Sequence, residues 1–159
     1  MKNQTSVERT SEREIVVTRT INGPPCLVFE AWTKPELFKR WWVPKSAPIS
    51  LLSCEMDVRV GGRYRLVFSA DTRTMEFFGK YLEVAPCSRL VWTNDEGGDA
   101  AAAITTVTFE ERDGKTLLTM RDLHPSKEAL DASGSTDAMP ESLDQLDDLV
   151  GQVGMRQVP

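Results

Sequence analysis

The residues predict an α+β domain: a curved antiparallel sheet (one strand, two short helices, six strands) packed on a long C-terminal helix, with an internal cavity expected between them. Three observations carry this. Segments of alternating polarity recur across the middle of the chain, joined by tight turn signals at Gly61-Gly62 and Asp113-Gly114. Met139, Leu143, Leu146, Val150 and Val153 form one apolar stripe at helical spacing near the end. Two segments opened by prolines separate the first strand from the others.

In chain order, residues 1–13 lack periodicity and are expected to be a flexible tail, leaving 14–159 as a single domain. Residues 14–21 alternate, with Ile15, Val17, Arg19 and Ile21 on one side. Pro24 and Pro25 suit a helix start, and Leu27, Val28, Phe29, Ala31 and Trp32 give residues 26–33 an apolar patch at helical spacing. Pro35 opens a second short helix over 36–42, which Pro44 closes. Strands follow at 49–60, 63–70, 74–84, 89–94, 104–110 and 116–123, with Tyr64, Leu66 and Phe68 on one face. Tight connections make the sheet antiparallel. Residues 126–132 form a short helical piece broken at Gly134, and the long helix starts near Asp137, its N-cap, with Pro140 tolerated in the first turn. A sheet of this length needs one face covered, and the last helix is the only large element available. One helix does not fill a strongly curved sheet completely, which is why a cavity is expected.

Composition excludes several functions. The net charge of −5 over 159 residues disfavours nucleic acid and anionic membrane surfaces as partners. Cys26, Cys54 and Cys87 are odd in number and widely spaced, so reduced, buried thiols in a cytoplasmic protein are expected. His124 is the only histidine, and no metal-ligand spacing occurs, so neither metal nor cofactor is expected. The polar start has no apolar segment of a secretion signal.

Several motifs together resemble a known family. They are Val28-Phe29-Glu30-Ala31-Trp32-Thr33-Lys34-Pro35-Glu36, Trp41-Trp42-Val43-Pro44 and Asp57-Val58-Arg59-Val60-Gly61-Gly62-Arg63-Tyr64. Gly79-Lys80-Tyr81, Arg89-Leu90-Val91-Trp92-Thr93 and Glu141-Ser142-Leu143-Asp144-Gln145-Leu146 complete the set. With this element order, the chain resembles the START-like (SRPBCC) superfamily with its helix-grip fold. Within it, the chain is similar to the branch named after the C-terminal domain of the activator of the heat-shock-protein ATPase. The resemblance implies a cavity for a small apolar or amphipathic molecule. It does not imply one activity, because the superfamily spans lipid carriers, receptors, cyclases and co-chaperones.

Trp32, Trp42, Phe68, Trp92, Leu143 and Leu146 are the candidate cavity-lining residues, although plain core packing is the default for any one large aromatic. Of the adjacent Trp41 and Trp42, at least one is expected at a rim. Asp57, Arg59, Arg65, Glu76, Arg121 and Asp122 lie on strands, and an inward Arg65 or Arg121 would suggest a carboxylate on the ligand. The acidic face of the last helix reads as solvated, and His124 as a surface residue at a strand end. No nucleophile elbow or phosphate loop is present, so no catalytic residue is assigned. The leading expectation is a binder of a small hydrophobic molecule, gated by the short helices and strand-end loops, with a stress-related role as one setting. A cyclase- or hydrolase-type enzyme using His124 or an inward carboxylate is the second. An interaction protein, as a homodimer or with a chaperone partner, is the third.

Overall fold

A computed structural model describes residues 5–95, 103–133 and 139–157. Their order is β1 (Ser6–Arg9), β2 (Glu14–Ile21), α1 (Pro25–Thr33), α2 (Pro35–Phe38), β3 (Ser50–Met56), β4 (Arg63–Ala70), β5 (Arg73–Ala85), β6 (Arg89–Asn94), β7 (Ala103–Arg112), β8 (Lys115–Leu123), α3 (Lys127–Ser133) and α4 (Met139–Gln157). One eight-stranded antiparallel sheet runs β1-β2-β8-β7-β6-β5-β4-β3, with β1 and β3 as its two edges. The predicted fold class is therefore observed. Gly134 and the Asp137 cap lie outside the described residues.

The strand patterns explain the sheet. Tyr64, Leu66 and Phe68 are buried at every second position of β4, and Val107 and Phe109 repeat the pattern on β7. Asp113 and Gly114 both take positive φ, 54° and 80°, which gives the turn between β7 and β8 a twist matching its strands. On α4, Met139, Leu143, Leu146 and Val150 are buried as the stripe requires, and Pro140 sits second in the helix, where its missing donor costs nothing.

Four local expectations need correction. Residues 6–9 are not a loose tail: Ser6–Arg9 pairs antiparallel with β2, Val7 opposite Val17, and Arg9 reaches Asp131 at 2.7 Å. All four residues of β1 are exposed, so the strand leaves no alternation to read in the sequence. The second helix stops at Phe38 rather than 42, because the chain tightens into turns that bring Trp41 under α1. Strand β3 ends at Met56, since Asp57–Gly62 turns back instead, with Gly62 amide donating to Arg59 carbonyl. The cysteines are not all reduced: Cys26 and Cys87 form a disulfide with Cα atoms 4.4 Å apart, leaving Cys54 as a free thiol. Fold topology brings the first turn of α1 onto the β5–β6 turn, a proximity that three cysteines in a sequence cannot announce. One ground for a cytoplasmic protein is thereby removed. Among the described residues no helix is long and apolar enough to cross a membrane.

The acidic face of α4 is also largely engaged. Arg19, on the inner face of β2 and only 2% exposed, ion-pairs with Asp144 and with Asp147, the latter at 3.1 Å. Asp147 further accepts the amide of Asn22 at 2.9 Å. Alternation puts Arg19 on the same side as Val17 and Ile21, which are buried here, and a buried cation needs partners. Two aspartates three apart on one helix face supply them.

Candidate functional site

Above β3–β6 lies an open-mouthed cavity of about 310 Å³. Met56, Tyr64, Leu66, Phe68, Met75, Phe77, Tyr81, Trp92 and Asn94 form its sheet wall. Trp32 of α1, Phe38 of α2 and the following segment, with Trp42, Val43, Pro44 and Ile49, form the opposite wall. Met139 and Ser142 from the first turn of α4 complete it.

The ring arrangement builds one wall. Trp32 is the hub, with ring centroids 4.8 Å from Trp41, 5.8 Å from Trp42 and 5.8 Å from Trp92. Trp41 is fully buried and donates Nε1–H to the Ala31 carbonyl at 2.9 Å, which ties the chain after α2 to α1. Trp42 therefore turns the other way, stacks on Phe38 at 4.8 Å, and borders the cavity. The adjacent tryptophans divide between core and rim, because consecutive side chains cannot share one direction.

The segment from Trp41 to Ser46 is strapped to α4. Gln145 Nε2 donates to the carbonyls of Trp41 and Val43, both at 2.9 Å, and Ser142 Oγ donates to that of Trp42 at 2.8 Å. Glu141 accepts from the amide of Ser46 at 3.0 Å and from its hydroxyl. Those bonds hold the Glu141 carboxyl below its ordinary range. These straps keep Trp42, Val43 and Pro44 in place over the cavity.

Gly79 is required on the sheet side. A Cβ there would stand 1.9 Å from the Thr93 carbonyl oxygen and 3.0 Å from the Tyr64 ring, so only hydrogen fits. Tyr64 then lies flat against the sheet and donates its hydroxyl to that same carbonyl at 2.7 Å. Asn94 is oriented in turn, its amide nitrogen donating to the Ala103 carbonyl and to Thr105 Oγ1, while Thr105 donates to Asp122 at 2.6 Å.

Of the six residues singled out, Trp32, Trp42, Phe68 and Trp92 line the cavity together. Leu143 and Leu146 do not: both are 0% exposed and belong to the core, because only the first turn of α4 overhangs the cavity. Met75, Phe77 and Tyr81 line the cavity as well, outside those six. Their place on alternate positions of β5 is the signal that would have found them. Arg65 and Arg121 are exposed and pair with Glu76 and Glu14, so neither supplies an inward charge. Asp57, Arg59 and Glu76 are likewise exposed. Asp122 does face inward, and burial raises its carboxyl above the ordinary value. His124, expected at the surface, is 8% exposed, since Arg13 Nε bonds its carbonyl and draws the segment inward; among the described residues its Nε2 has no hydrogen-bond partner. Neither Asp122 nor His124 lines the cavity.

A family model described as "Activator of Hsp90 ATPase homolog 1-like protein" matches residues 22–151. The chain belongs to that family. No curated protein matches. Among solved structures, a Nitrosomonas europaea protein is 25% identical, with a TM-score of 0.79 over 92% of this chain and 99% of its own. A Chromobacterium violaceum protein is 27% identical, with a TM-score of 0.74 over 88% and 98% of the two chains. An AHSA1-like protein from Aeromonas hydrophila, 20% identical, has a TM-score of 0.74 over 92% and 97%, a likeness of fold. Family membership is consistent with ligand binding or chaperone regulation in general.

Proposed function

We propose that this family member binds a small hydrophobic or amphipathic molecule in the cavity between sheet, strap and helix. The observation that carries the reading is the cavity itself, about 310 Å³, walled by aromatic and thioether side chains. That volume falls at the lower end of the roughly 300–1,000 Å³ usual for ligand sites. Apolar burial drives binding at about 25 cal/mol per Å². A ligand burying on the order of 300 Å² gains on the order of 7 kcal/mol before the cost of association. Trp32, Trp42, Phe68 and Trp92 are its contacts, and Trp42 on the strap guards the way in. The enzymatic alternative has less support, because Asp122 and His124 stand behind the cavity wall.

Native mass spectrometry of the gently purified protein tests the reading, paired with fluorescence titration of N-phenyl-1-naphthylamine. Binding by the wild type and its loss in a folded Met75→Trp variant, which fills the cavity, is the expected result. Undiminished binding in that variant would place the ligand elsewhere, and a stoichiometric protein partner with no small molecule would favour the interaction reading.

A further inference from the structure

A chain of polar side chains runs from the cavity wall across the inner face of the sheet. Tyr64 and Asn94 line the cavity. The Tyr64 hydroxyl lies 3.2 Å from Asn94 Oδ1, and Asn94 Nδ2 donates to Thr105 Oγ1 at 3.1 Å. Thr105 in turn donates to Asp122 Oδ1 at 2.6 Å. Tyr64, Thr105 and Asp122 are buried, so the half-buried Asn94 is the link most open to the cavity. Packing alone does not call for this chain. Leu90, Val107 and Met120 fill the same face of the same three strands with apolar side chains.

Asp122 ends the chain, facing Thr105 across β7 and Ile15 across β2. Burial raises its carboxyl above the ordinary value of 3.8, while the Thr105 bond and the charge of His124 oppose that rise. The other charged groups of the surrounding elements are engaged elsewhere. Arg13 Nε holds the His124 carbonyl, and Arg121 pairs with Glu14. On α3, Asp131 pairs with Lys127 and Arg9, and Glu128 is exposed. On α4, Asp144 and Asp147 hold Arg19, and Glu141 holds Ser46.

We propose that ligand binding in the cavity is linked to proton uptake at Asp122 through Asn94 and Thr105, so that the site fills more readily as the medium turns acidic. This rests on the ligand-binding reading and adds the regulation of that site. Water in an open cavity solvates Asn94 and, through the polarised chain, supports part of the Asp122 charge. A ligand that expels this water withdraws support from the carboxylate and costs the protonated acid little. Binding therefore favours the proton, and the proton favours binding. Affinity is lowest where Asp122 is ionised with and without ligand. It rises as pH falls through the Asp122 values of the liganded and then the free protein, a window above 3.8.

Fluorescence titration of N-phenyl-1-naphthylamine, uncharged throughout this range, tests the link on the full-length chain. Wild-type affinity should rise roughly three- to tenfold between about pH 8 and about pH 5, above the range in which Glu141 titrates. Asp122→Asn, folded by circular dichroism, should show no such rise, and Thr105→Val, which cuts the chain, should show a smaller one. Calorimetry of the wild type in two buffers of different ionisation enthalpy should show proton uptake on binding in the same range. Binding without proton uptake, or with affinity independent of pH, overturns the inference and leaves the cavity reading intact. A rise that persists in Asp122→Asn and disappears in His124→Gln places the proton on the imidazole and also overturns it. No binding at any pH overturns the cavity reading itself.

Discussion

The two halves of the sheet are closed by different means. Over β2, β8 and β7, the inner side chains Val17, Ile21, Val107 and Leu118 are essentially inaccessible beneath α1 and α4, whose Val28, Leu143 and Leu146 are equally enclosed. There the helix is also pinned electrostatically by Arg19. Over β3–β6, by contrast, α4 contributes only Met139 and Ser142, and large flat rings span the remaining width. Where α4 covers the sheet, branched aliphatic side chains interdigitate to crystal-like density, whereas past its first turn no helix fills the width between the two ring-bearing walls. One half therefore holds the fold while the other holds a void. The difference teaches that stability and the proposed binding draw on different strands, so that one can be altered without the other.

Arg19→Met is the sharpest way to break that contrast. It removes the cation that faces Asp147 and the partly buried Asp144, and should cost about 3–5 kcal/mol in denaturant unfolding. Adding Asp144→Asn and Asp147→Asn should recover much of the loss; no recovery would mean that Arg19 acts through packing alone. Leu146→Ala, in the same half, should cost about 3 kcal/mol, whereas Met75→Ala at the cavity wall should cost about 1 kcal/mol, because Met75 already borders empty space. Equal losses at the two sites would erase the distinction between the halves. Reducing Cys26–Cys87 opens a closed loop and should cost about 2–4 kcal/mol, read as a lower melting temperature with dithiothreitol. The smallest effect concerns the strap. Glu141 is held below its ordinary value of 4.5, so its contribution is present above that value and is lost as pH falls through the lowered one. Glu141→Gln should lower stability slightly at neutral pH and leave it unchanged in acid, so that this acid limb of the stability profile flattens.

Much of this was legible in the residues. Alternation on β4, the Asp113-Gly114 turn and the α4 stripe each follow from local geometry, since a strand or helix repeats on a scale shorter than its own length. Four of the cavity residues were legible for the same reason: Trp32, Trp42, Phe68 and Trp92 are large rings at positions that the pattern turns inward. Leu143 and Leu146 were misplaced because the stripe says which face of α4 is buried and not what lies beneath each turn. The side of β2 that Arg19 shares with Val17 and Ile21 was readable, but its partners stand 125 and 128 residues away. No local period carries information over that distance.

The sequence by itself determined the class of fold, the direction of most side chains and the family, because these depend on short-range periodicity and on motifs that can be read in line. Tertiary structure alone decided that β1 joins the sheet, that Cys26 meets Cys87, and that the last helix covers one half of the sheet while overhanging the other by a single turn. Those outcomes depend on the angle at which rigid elements cross. That angle is set by the sum of many side-chain contacts and by no one segment of the chain.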